Sequence, residues 1–545
     1  MKNFRKNQGI TLIALVITVI VLLILASVTI ATLTGENGIL NRAQEANNKT
    51  DQAEKDEKEK LGDMEDILNE YTTRIEVEQV ADENPGVLEG SGTEADSYTI
   101  NSIEDLVVFA SNVTTGTTYE GQTVKLGLSL DFNSNKSYVE PLRTDYGQYG
   151  YAGELKTLLT SEEGFKPIGS SSAQQNNFFY GTFDGNNKDI YNLYIGMNIN
   201  QSEDTDLGFF TSNYGIIKNA NLKNVNIDIS NVKNNITVAE GGISAKNNNT
   251  IINCYVSGNI VNKSKLWNIV GGICGVLETG ATIEKCINEA NILAENNNNM
   301  EGNAVAGGIV GQSSVNAGII NACCNNGNIK ADSNANLNAI VGGIIGYSRG
   351  EVKNCYNTGN IEGYSNKSVK IGGIVGATSQ MNISNCYNLG DIKAVGNNEI
   401  KIGGIEGLNY SNIITNVFNV GKIIVEGENA NNSFNIGGIA CGEWNADISN
   451  GYNIGNISIT NNTSENVGSI IGLRWNSTLT NCNYLKGTYS KGIGSFHSSS
   501  DTEEGVTELK DISDFPDILD VINVEGMFKE DSNNINKGYP ILNWQ

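Results

Sequence analysis

Histidine is almost missing from this 545-residue chain, which contains only His497. A Ser-His-Asp triad or a metal site built from imidazoles would have to depend on this one side chain, so most hydrolase classes are disfavoured. Proline is scarce at 5 residues and aromatic residues make up 7%, whereas glycine is abundant at 62. Much glycine and asparagine with few aromatics is not typical of a compact α/β enzyme. It favours a turn-rich β architecture, since both residues adopt the left-handed backbone conformations of tight turns.

Positive charge is also scarce. The chain has 36 lysines and arginines against 61 acidic residues, for a formal net charge of −25. Binding to phosphates requires a concentrated basic surface, so the sequence predicts that nucleic acid is not a partner.

The amino terminus carries a long apolar run. Lys2, Arg5 and Lys6 precede residues 10–33, which contain no charged side chain. As a helix this run would be roughly 36 Å long, enough to cross a bilayer core of about 30 Å. Because basic flanks stay in the cytoplasm, the segment 10–34 predicts a single-pass cell-membrane protein with its C-terminal part extracellular. A secretory signal fits less well, because the run is too long and no small-x-small cleavage site follows it.

The leader 1–9 and the residues after it resemble the class III signal of type IV prepilins: a short basic stretch ends in Gly9 and "ITLIALV" follows. The resemblance implies a prepilin peptidase as partner, cleavage after Gly9, a methylated mature terminus at Ile10 and a pilus-like assembly. Pilins usually carry glutamate at the fifth mature position, where this chain has Ala14. That departure argues against polymerisation into a filament.

Residues 35–76 are predicted to form a helical stem and residues 77–97 a linker. In the stem Leu61, Met64, Leu68 and Tyr71 recur at three- and four-residue steps, which gives one narrow apolar stripe. The stripe fits either a solvated stem packed on the body or a helix that self-associates.

A short unit recurs through the second half of the chain, as in "GGIVGATSQMNISNCYNLGDI" from Gly372. Each copy has three short Ile- or Val-rich segments bounded by Gly, Asn or Ser, which predicts three strands joined by tight turns. Copies that begin 30 to 36 residues apart predict a parallel β-solenoid whose coils bury side chains against each other. The paired glycines that open each copy are predicted to allow close approach at a corner. They are Gly241 and Gly242, Gly271 and Gly272, Gly307 and Gly308, Gly342 and Gly343, Gly372 and Gly373, Gly403 and Gly404, and Gly437 and Gly438.

Two enzymatic interpretations of this unit fail. A phosphate-binding loop occurs once, leads into a helix and carries a lysine, whereas this unit recurs, leads into strands and lacks the lysine. The Gly-Tyr-Ser-Arg-Gly around Ser348 has the form of a nucleophile elbow, but the next copy replaces it with "GATSQ".

The copies resemble the GLUG motif, a short repeat of bacterial surface proteins and some secreted peptidases. The resemblance covers residues 207–485. Residues 98–206 resemble the leading coils of pectin-lyase-like right-handed β-helices, and residues 486–545 are predicted to form a C-terminal cap. The resemblance implies a mainly β fold with a right-handed parallel β-helix. The apolar segment and the stem predicted above add a transmembrane helix and a short helical stem before it. The resemblance says little about activity, because that fold hosts lyases, adhesins and passive stalks alike.

Most cysteines fall at one position of the repeat, where other copies have Val417 and Gly451. That position therefore requires a small, buried side chain. The cysteines lack the clustered spacing of a zinc site. Side chains that stack from coil to coil point the same way, so an unpaired inward row of cysteines is favoured over disulfides. No metal or cofactor is predicted. The row comprises Cys254, Cys286, Cys323, Cys355, Cys386 and Cys482.

Three functional hypotheses follow. The leading one is a non-catalytic bacterial surface protein that displays the β-helix for adhesion, or for binding to a glycan or a cell-surface protein. The second is a minor pilin-like subunit, and the third a polysaccharide-active enzyme. Asp131 and Asp184 are the candidate calcium ligands of that enzyme, although Asp-Gly and Asp-Asn pairs also form turns. The candidates for exposed rings that stack on sugars are Trp267, Trp444 and Trp475. A role in packing fits these three residues equally well.

Overall fold

A computed structural model describes thirteen stretches of the chain. They are residues 86–132, 164–172, 175–197, 203–230, 233–296, 302–315, 318–333, 337–408, 410–427, 434–442, 444–460, 466–499 and 501–545. Within them the chain is mainly β and winds through about nine turns of a parallel β-solenoid. The predicted parallel solenoid is confirmed, while its right-handed sense and the predicted domain boundaries stay predictions.

In the smaller of two large sheets the first glycine of six pairs ends a strand, whereas Gly241 and Gly242 lie within one strand. Equivalent residues of successive coils pair with each other in this sheet, as in Gly342 opposite Gly372 and Gly372 opposite Gly403. Its 14 strands are Thr205–Asn213, Val238–Asn247, Asn268–Gly271, Cys274–Leu277, Ala304–Gly307, Val310–Ser313, Asn338–Gly342, Ile345–Ser348, Ser368–Gly372, Val375–Thr378, Glu399–Gly403, Glu406–Leu408, Phe434–Gly437 and Val467–Gly468.

The larger sheet carries the other two segments of each repeat and pairs in parallel from coil to coil. Its 28 strands are Tyr98–Ile100, Thr123–Leu126, Leu130–Asp131, Thr182–Asp184, Asp189–Tyr191, Tyr194–Gly196, Ile216–Lys218, Asn221–Ile229, Thr250–Ile252, Tyr255–Asn262, Thr282–Glu284, Ile287–Asn288, Asn291–Asn296, Ile319–Asn321, Cys324–Asn325, Ile329–Ser333, Glu351–Lys353, Tyr356–Asn357, Ile361–Ser365, Asn382–Asn388, Ile392–Val395, Tyr410–Asn419, Ile423–Glu426, Trp444–Asn453, Ile457–Ile459, Leu479–Thr480, Cys482–Leu485 and Val506–Leu509. Alternate side chains of both sheets point inward and form one continuous apolar core.

The first coils pack against the helix Ile103–Thr114, which begins with a capping box between Ser102 and Asp105. Its Phe109 is fully buried and meets Phe179 edge to face, with ring centroids 5.6 Å apart. A hairpin of Ser170–Ser172 and Gln175–Asn177 lies nearby in the chain.

The last coil is closed by two short strands after the repeats fade. Ile493–Phe496 pairs with Ile471–Arg474, and Val506–Leu509 pairs with Cys482–Leu485.

Residues 511–545, here called the C-terminal strap, then turn back along the outside of the larger sheet. The strap contains the helix Ile518–Ile522, the 3-10 turns Ile512–Asp514 and Asn523–Glu525, and a hairpin of Phe528–Lys529 with Ile541–Leu542. Its apolar side chains cover a column of outward residues that takes one member from each coil: Cys324, Tyr356, Tyr387, Phe418 and Tyr452.

The predicted cell-membrane location requires correction. Among the described residues no helix is long and apolar enough to cross a membrane. The α-helices found there, Ile103–Thr114 and Ile518–Ile522, have 12 and 5 residues, whereas a span needs about 20. The leader 1–9, the apolar segment 10–34 and the stem 35–76 lie outside the described residues.

Candidate functional site

The paired glycines serve backbone packing. A Cβ at Gly343 would lie 2.0 Å from the carbonyl oxygen of Gly373 in the next coil, and one at Gly372 would lie 1.8 Å from that of Val375. Neither distance is compatible with a side chain. Gly343 is therefore required by the close approach of the next coil, and Gly372 by a backbone oxygen of its own coil.

Asparagine occupies a turn position that the sequence analysis overlooked, directly before the repeated cysteine. Asn354 and its counterparts have a φ of about 50 to 55°, the left-handed conformation that asparagine tolerates best after glycine. Their amides also bond from coil to coil, as in Asn385 Nδ2 to Asn354 Oδ1 at 3.0 Å. The repeated Asn-Cys pair was the available signal. The other members in this conformation are Asn219, Asn253, Asn385, Asn416, Asn450 and Asn481.

The row of cysteines lies inside the solenoid. Each of the nine cysteines is buried, and none of them forms a disulfide. Burial raises the pKa of the Cys355 thiol well above its ordinary value, and its Sγ donates to the carbonyl of Lys353 at 3.0 Å. A buried, protonated thiol is a poor nucleophile and a poor metal ligand, so this row packs the core.

The two candidate calcium ligands hold turns. Asp184 Oδ1 accepts from the Asn186 backbone at 2.8 Å and from Asn219 Nδ2 at 2.8 Å. Burial raises its pKa, but these hydrogen bonds and nearby Lys218 outweigh burial and leave the pKa below its ordinary value. Asp131 accepts from Asn192 Nδ2 at 2.8 Å. Across the described stretches no three His, Cys, Asp or Glu side chains could share a metal ion.

Four ring-bearing residues meet on one outer turn of consecutive coils. Tyr410 lies in register with Trp444. Trp444 and Trp475 have ring centroids 6.3 Å apart, and Trp475 stacks on His497 at 3.6 Å. We call these four residues the aromatic row. Tyr410 and Trp444 are 44% and 47% exposed, far more than packing requires.

The backbone beneath the aromatic row is fixed. Ser411, Asn445 and Asn476, each directly after a ring, have φ between 51 and 59°. The Asn445 N–H donates to the Trp475 carbonyl at 3.0 Å. Buried Arg474 donates through Nε to the Ser477 carbonyl at 3.1 Å. These contacts therefore hold the main chain that carries the rings in one conformation.

Trp267, the third tryptophan singled out from the sequence, lies elsewhere. It is 40% exposed and precedes the strand Asn268–Gly271, at a different turn of the coil from Trp444. The chain's single histidine stands in the aromatic row, where its partner is an indole ring.

A second feature is a cavity of about 360 Å³ beside the end of the C-terminal strap. It is lined by Asn221, Lys223, Asn253, Cys254, Tyr255, Lys285, Ile287 and Trp544.

Comparisons with known proteins support the repeat. The family model of the GLUG motif matches residues 338–362, one copy of the unit, which confirms that resemblance. No curated protein matches the chain. Among solved structures, the crystal structure of a candidate immunoglobulin A1 protease from Bacteroides ovatus is 16% identical, and the match covers 84% of this chain and 95% of that one. Its TM-score is 0.35, too low to assign a shared fold or an activity.

Proposed function

We propose that this chain is a non-catalytic binding protein whose solenoid presents the aromatic row to a carbohydrate. The observation that carries the proposal is the exposure of Tyr410 and Trp444 in one column with Trp475 and His497. Large rings left in water on a rigid scaffold mark an interaction surface.

Carbohydrate fits this surface better than other partners. Sugar rings offer apolar C–H faces to aromatic rings and hydroxyl groups to polar edges. The row supplies both, because tyrosine, tryptophan and histidine each combine a ring with a hydrogen-bonding atom. A net charge of −25 opposes nucleic acid. A protein partner is the alternative, and the test below separates the two.

The non-catalytic part of the proposal is supported by the groups that chemistry would use. In the described stretches the placement of these groups favours structural over catalytic roles. The thiols are buried, Asp184 is hydrogen-bonded to amides, and His497 stacks on Trp475. A polysaccharide-active enzyme needs a carboxylate pair or a metal at its substrate.

The binding test is affinity electrophoresis of the full chain through gels that contain single polysaccharides, preceded by a glycan array. We expect retardation by at least one polysaccharide. Trp444→Ala should weaken binding about thirtyfold, as for a central aromatic contact. Trp267→Ala is the matched control, since it removes a similarly exposed indole outside the row, 40% exposed against 47% for Trp444.

Three results would count against the proposal. Retardation that Trp444→Ala leaves unchanged would place the site elsewhere. An array without any bound glycan would redirect the search to proteins. Release of new reducing ends or unsaturated products from a bound polysaccharide would make the protein an enzyme.

Prepilin processing is a separate proposal that rests on sequence alone, because Gly9 and Ile10 lie outside the described residues. The mass of the N-terminal peptide from the native source tests it. A start at Ile10, methylated or not, is expected, and an intact Met1 would contradict it.

A further inference from the structure

We propose that the ligand of the aromatic row is an extended, uncharged polysaccharide that runs along the solenoid and is also held by a second group of rings. This inference rests on the proposed function and adds to it the form of the ligand and a second contact site. Phe178, Tyr180 and Tyr214 make up the second group, which we call the N-terminal ring group.

The N-terminal ring group resembles the aromatic row in its construction. Phe178 and Tyr180 both stack on Tyr214, with ring centroids 4.9 and 5.1 Å away from it. Tyr180 is 40% exposed, close to the value of Tyr410 in the aromatic row. Neighbouring large rings that stay in water mark an interaction surface.

Both groups lie on the same turn of the coil. A bridge between Phe179 and Asn213 places Tyr180 level with Tyr214. At the other end, the Gln380 N–H donates to the Tyr410 carbonyl at 2.9 Å. This turn follows the strands of the smaller sheet that end, coil after coil, at Asn213, Asn247, Leu277, Ser313, Ser348, Thr378 and Leu408. The two groups therefore belong to one line along the solenoid.

The distance between the groups sets the length of the ligand. Six coil steps lead from Asn213 to Leu408. At about 4.8 Å between neighbouring strands, these steps add up to roughly 29 Å. One sugar unit of an extended chain is about as long as one coil is thick, so a chain needs roughly seven units to touch both groups.

The turn between the groups is polar. It exposes Asn249, Thr279, Arg349 and Gln380, whose side chains can hydrogen-bond to sugar hydroxyls. Among the described residues of this turn the charged side chains are Glu278 and Arg349, one of each sign. Balanced local charge suits an uncharged chain, and the net charge of −25 disfavours an acidic one.

An exposed isoleucine accompanies each group. Ile216 follows Tyr214 by two residues, and Ile413 follows Tyr410 by three. Each adds apolar surface on the larger sheet, directly after the turn that carries the rings. The two ends of the line thus offer similar surfaces for the C–H faces of sugar rings.

The probes are linear β-linked glucan, xylan and mannan oligosaccharides, from disaccharide to decasaccharide, with oligogalacturonates as acidic counterparts. Isothermal titration of the full chain measures each affinity. We expect at least one uncharged series whose affinity rises about tenfold or more once the chain reaches roughly seven units, because the second contact then forms within the complex. Oligogalacturonates of equal length should bind more weakly.

A single variant assigns the second contact. Tyr180→Ala should weaken decasaccharide binding about tenfold and so remove the increase with length. Trp267→Ala is the matched control, because Trp267 is also 40% exposed but lies on a different turn. It should keep the increase with length.

The outcomes distinguish this inference from the proposed function. Binding that depends on Trp444 but neither on chain length nor on Tyr180 would overturn the extended site and leave the aromatic row as the whole site. Tighter binding of oligogalacturonates, or a glycan on the array but none among the uncharged series, would overturn the ligand class. An array without any bound glycan, or binding that does not depend on Trp444, would overturn the proposed function and this inference with it.

Discussion

Asn357 donates from Nδ2 to Oδ1 of Asn388 in the next coil, over 2.8 Å. The same nitrogen donates to the Gly359 carbonyl at 2.8 Å, while Asn357 Oδ1 accepts from Asn325 at 2.7 Å. Each member of the row is fully buried, and each one orients the next. The row runs through Asn288, Asn325, Asn357, Asn388, Asn419 and Asn453.

Replacing Asn357 with alanine should be strongly destabilising. The change leaves the Gly359 carbonyl, Asn388 Oδ1 and one Asn325 hydrogen without their partners in a buried site. We expect the free energy of unfolding to fall by about 3 kcal/mol or more. Denaturant titration followed by circular dichroism measures it. Asn360→Ala, in an exposed turn, should stay within about 0.5 kcal/mol. Equal effects of the two would contradict a dependence on buried amides.

The corner glycines predict a second contrast. Gly343→Ala places a methyl group 2.0 Å from the Gly373 carbonyl, so neighbouring coils must separate. We expect a loss of about 3 kcal/mol. Gly280→Ala is the comparison, since its φ is +73° but no atom lies within 4 Å. It should cost about 1 kcal/mol from backbone strain alone. A smaller loss at Gly343 than at Gly280 would show that coil spacing does not set the requirement.

The cysteine row predicts tolerance of apolar but not polar replacement. Val417 stands opposite Cys386 in register, so Cys355→Val should change stability by less than about 1.5 kcal/mol. Cys355→Ser introduces a more polar hydroxyl in the apolar core and should cost about 2 kcal/mol. Thermal unfolding measures both. A dithionitrobenzoate assay should label none of the nine thiols in the native protein and all of them in denaturant, and native labelling would contradict burial.

Much of the fold could be predicted because one sequence unit recurs along the chain. The Gly-Gly corner and the short Ile-rich segments specify a coil, and coils of near-constant length must stack in register, as Gly342 and Gly372 do. The aromatic row was within reach as well. Tyr410, Trp444 and Trp475 lie about one repeat apart, so the period alone places them in one column.

Other features depend on packing that the repeat does not contain. Asparagine is common in turns, so nothing marked Asn357 as buried. The strap has no periodicity, and its docking surface is visible only as a column of outward aromatic residues, such as Tyr356 and Phe418, that needs a cover. The cavity at Trp544 lies where the C-terminal strap ends. The repeat pattern describes single coils, so it cannot predict this cavity.

Glu240 predicts an unusual pH dependence. It is fully buried at the position where neighbouring coils have Leu207 and Val270. Its carboxyl oxygens have no hydrogen-bond partner in the described part of the chain. Burial, and secondarily the charge of Asp228, raises its pKa well above the ordinary value of 4.5.

The direction in which stability changes with pH follows from the protons bound by the folded and the unfolded chain. Above pH 4.5 the unfolded chain releases this proton and the folded chain keeps it, so Glu240 makes stability fall as pH rises, by up to about 1.4 kcal/mol per pH unit. Glu240→Leu removes that dependence and should be more stable than the native sequence by about 2 kcal/mol at pH 8. Unfolding free energies between pH 5 and 8 test it. Curves that stay parallel for the two proteins would contradict the prediction.

Tyr387 predicts how the strap is fastened. Its buried hydroxyl accepts from Asn536 Nδ2 at 2.7 Å and donates to the Pro540 carbonyl, while its ring stacks on Tyr356 at 5.0 Å. Tyr387→Phe keeps the stacking but removes the hydroxyl that joins both strap groups, which are then left with only their weak mutual hydrogen bond from Asn536 Nδ2 to the Pro540 carbonyl at 3.4 Å. Strap opening should become easier by about 1–3 kcal/mol.

Hydrogen exchange read by mass spectrometry localises the effect. Amides of residues 511–545 should lose about fivefold or more of their protection in Tyr387→Phe, while amides of the coils keep theirs, because local opening is independent of global unfolding. Tyr364→Phe is the control, since that hydroxyl bonds Glu362 on the same strand at 2.8 Å. Loss of protection throughout the coils would mean that the strap and the solenoid unfold together, and that Tyr387 stabilises the whole body.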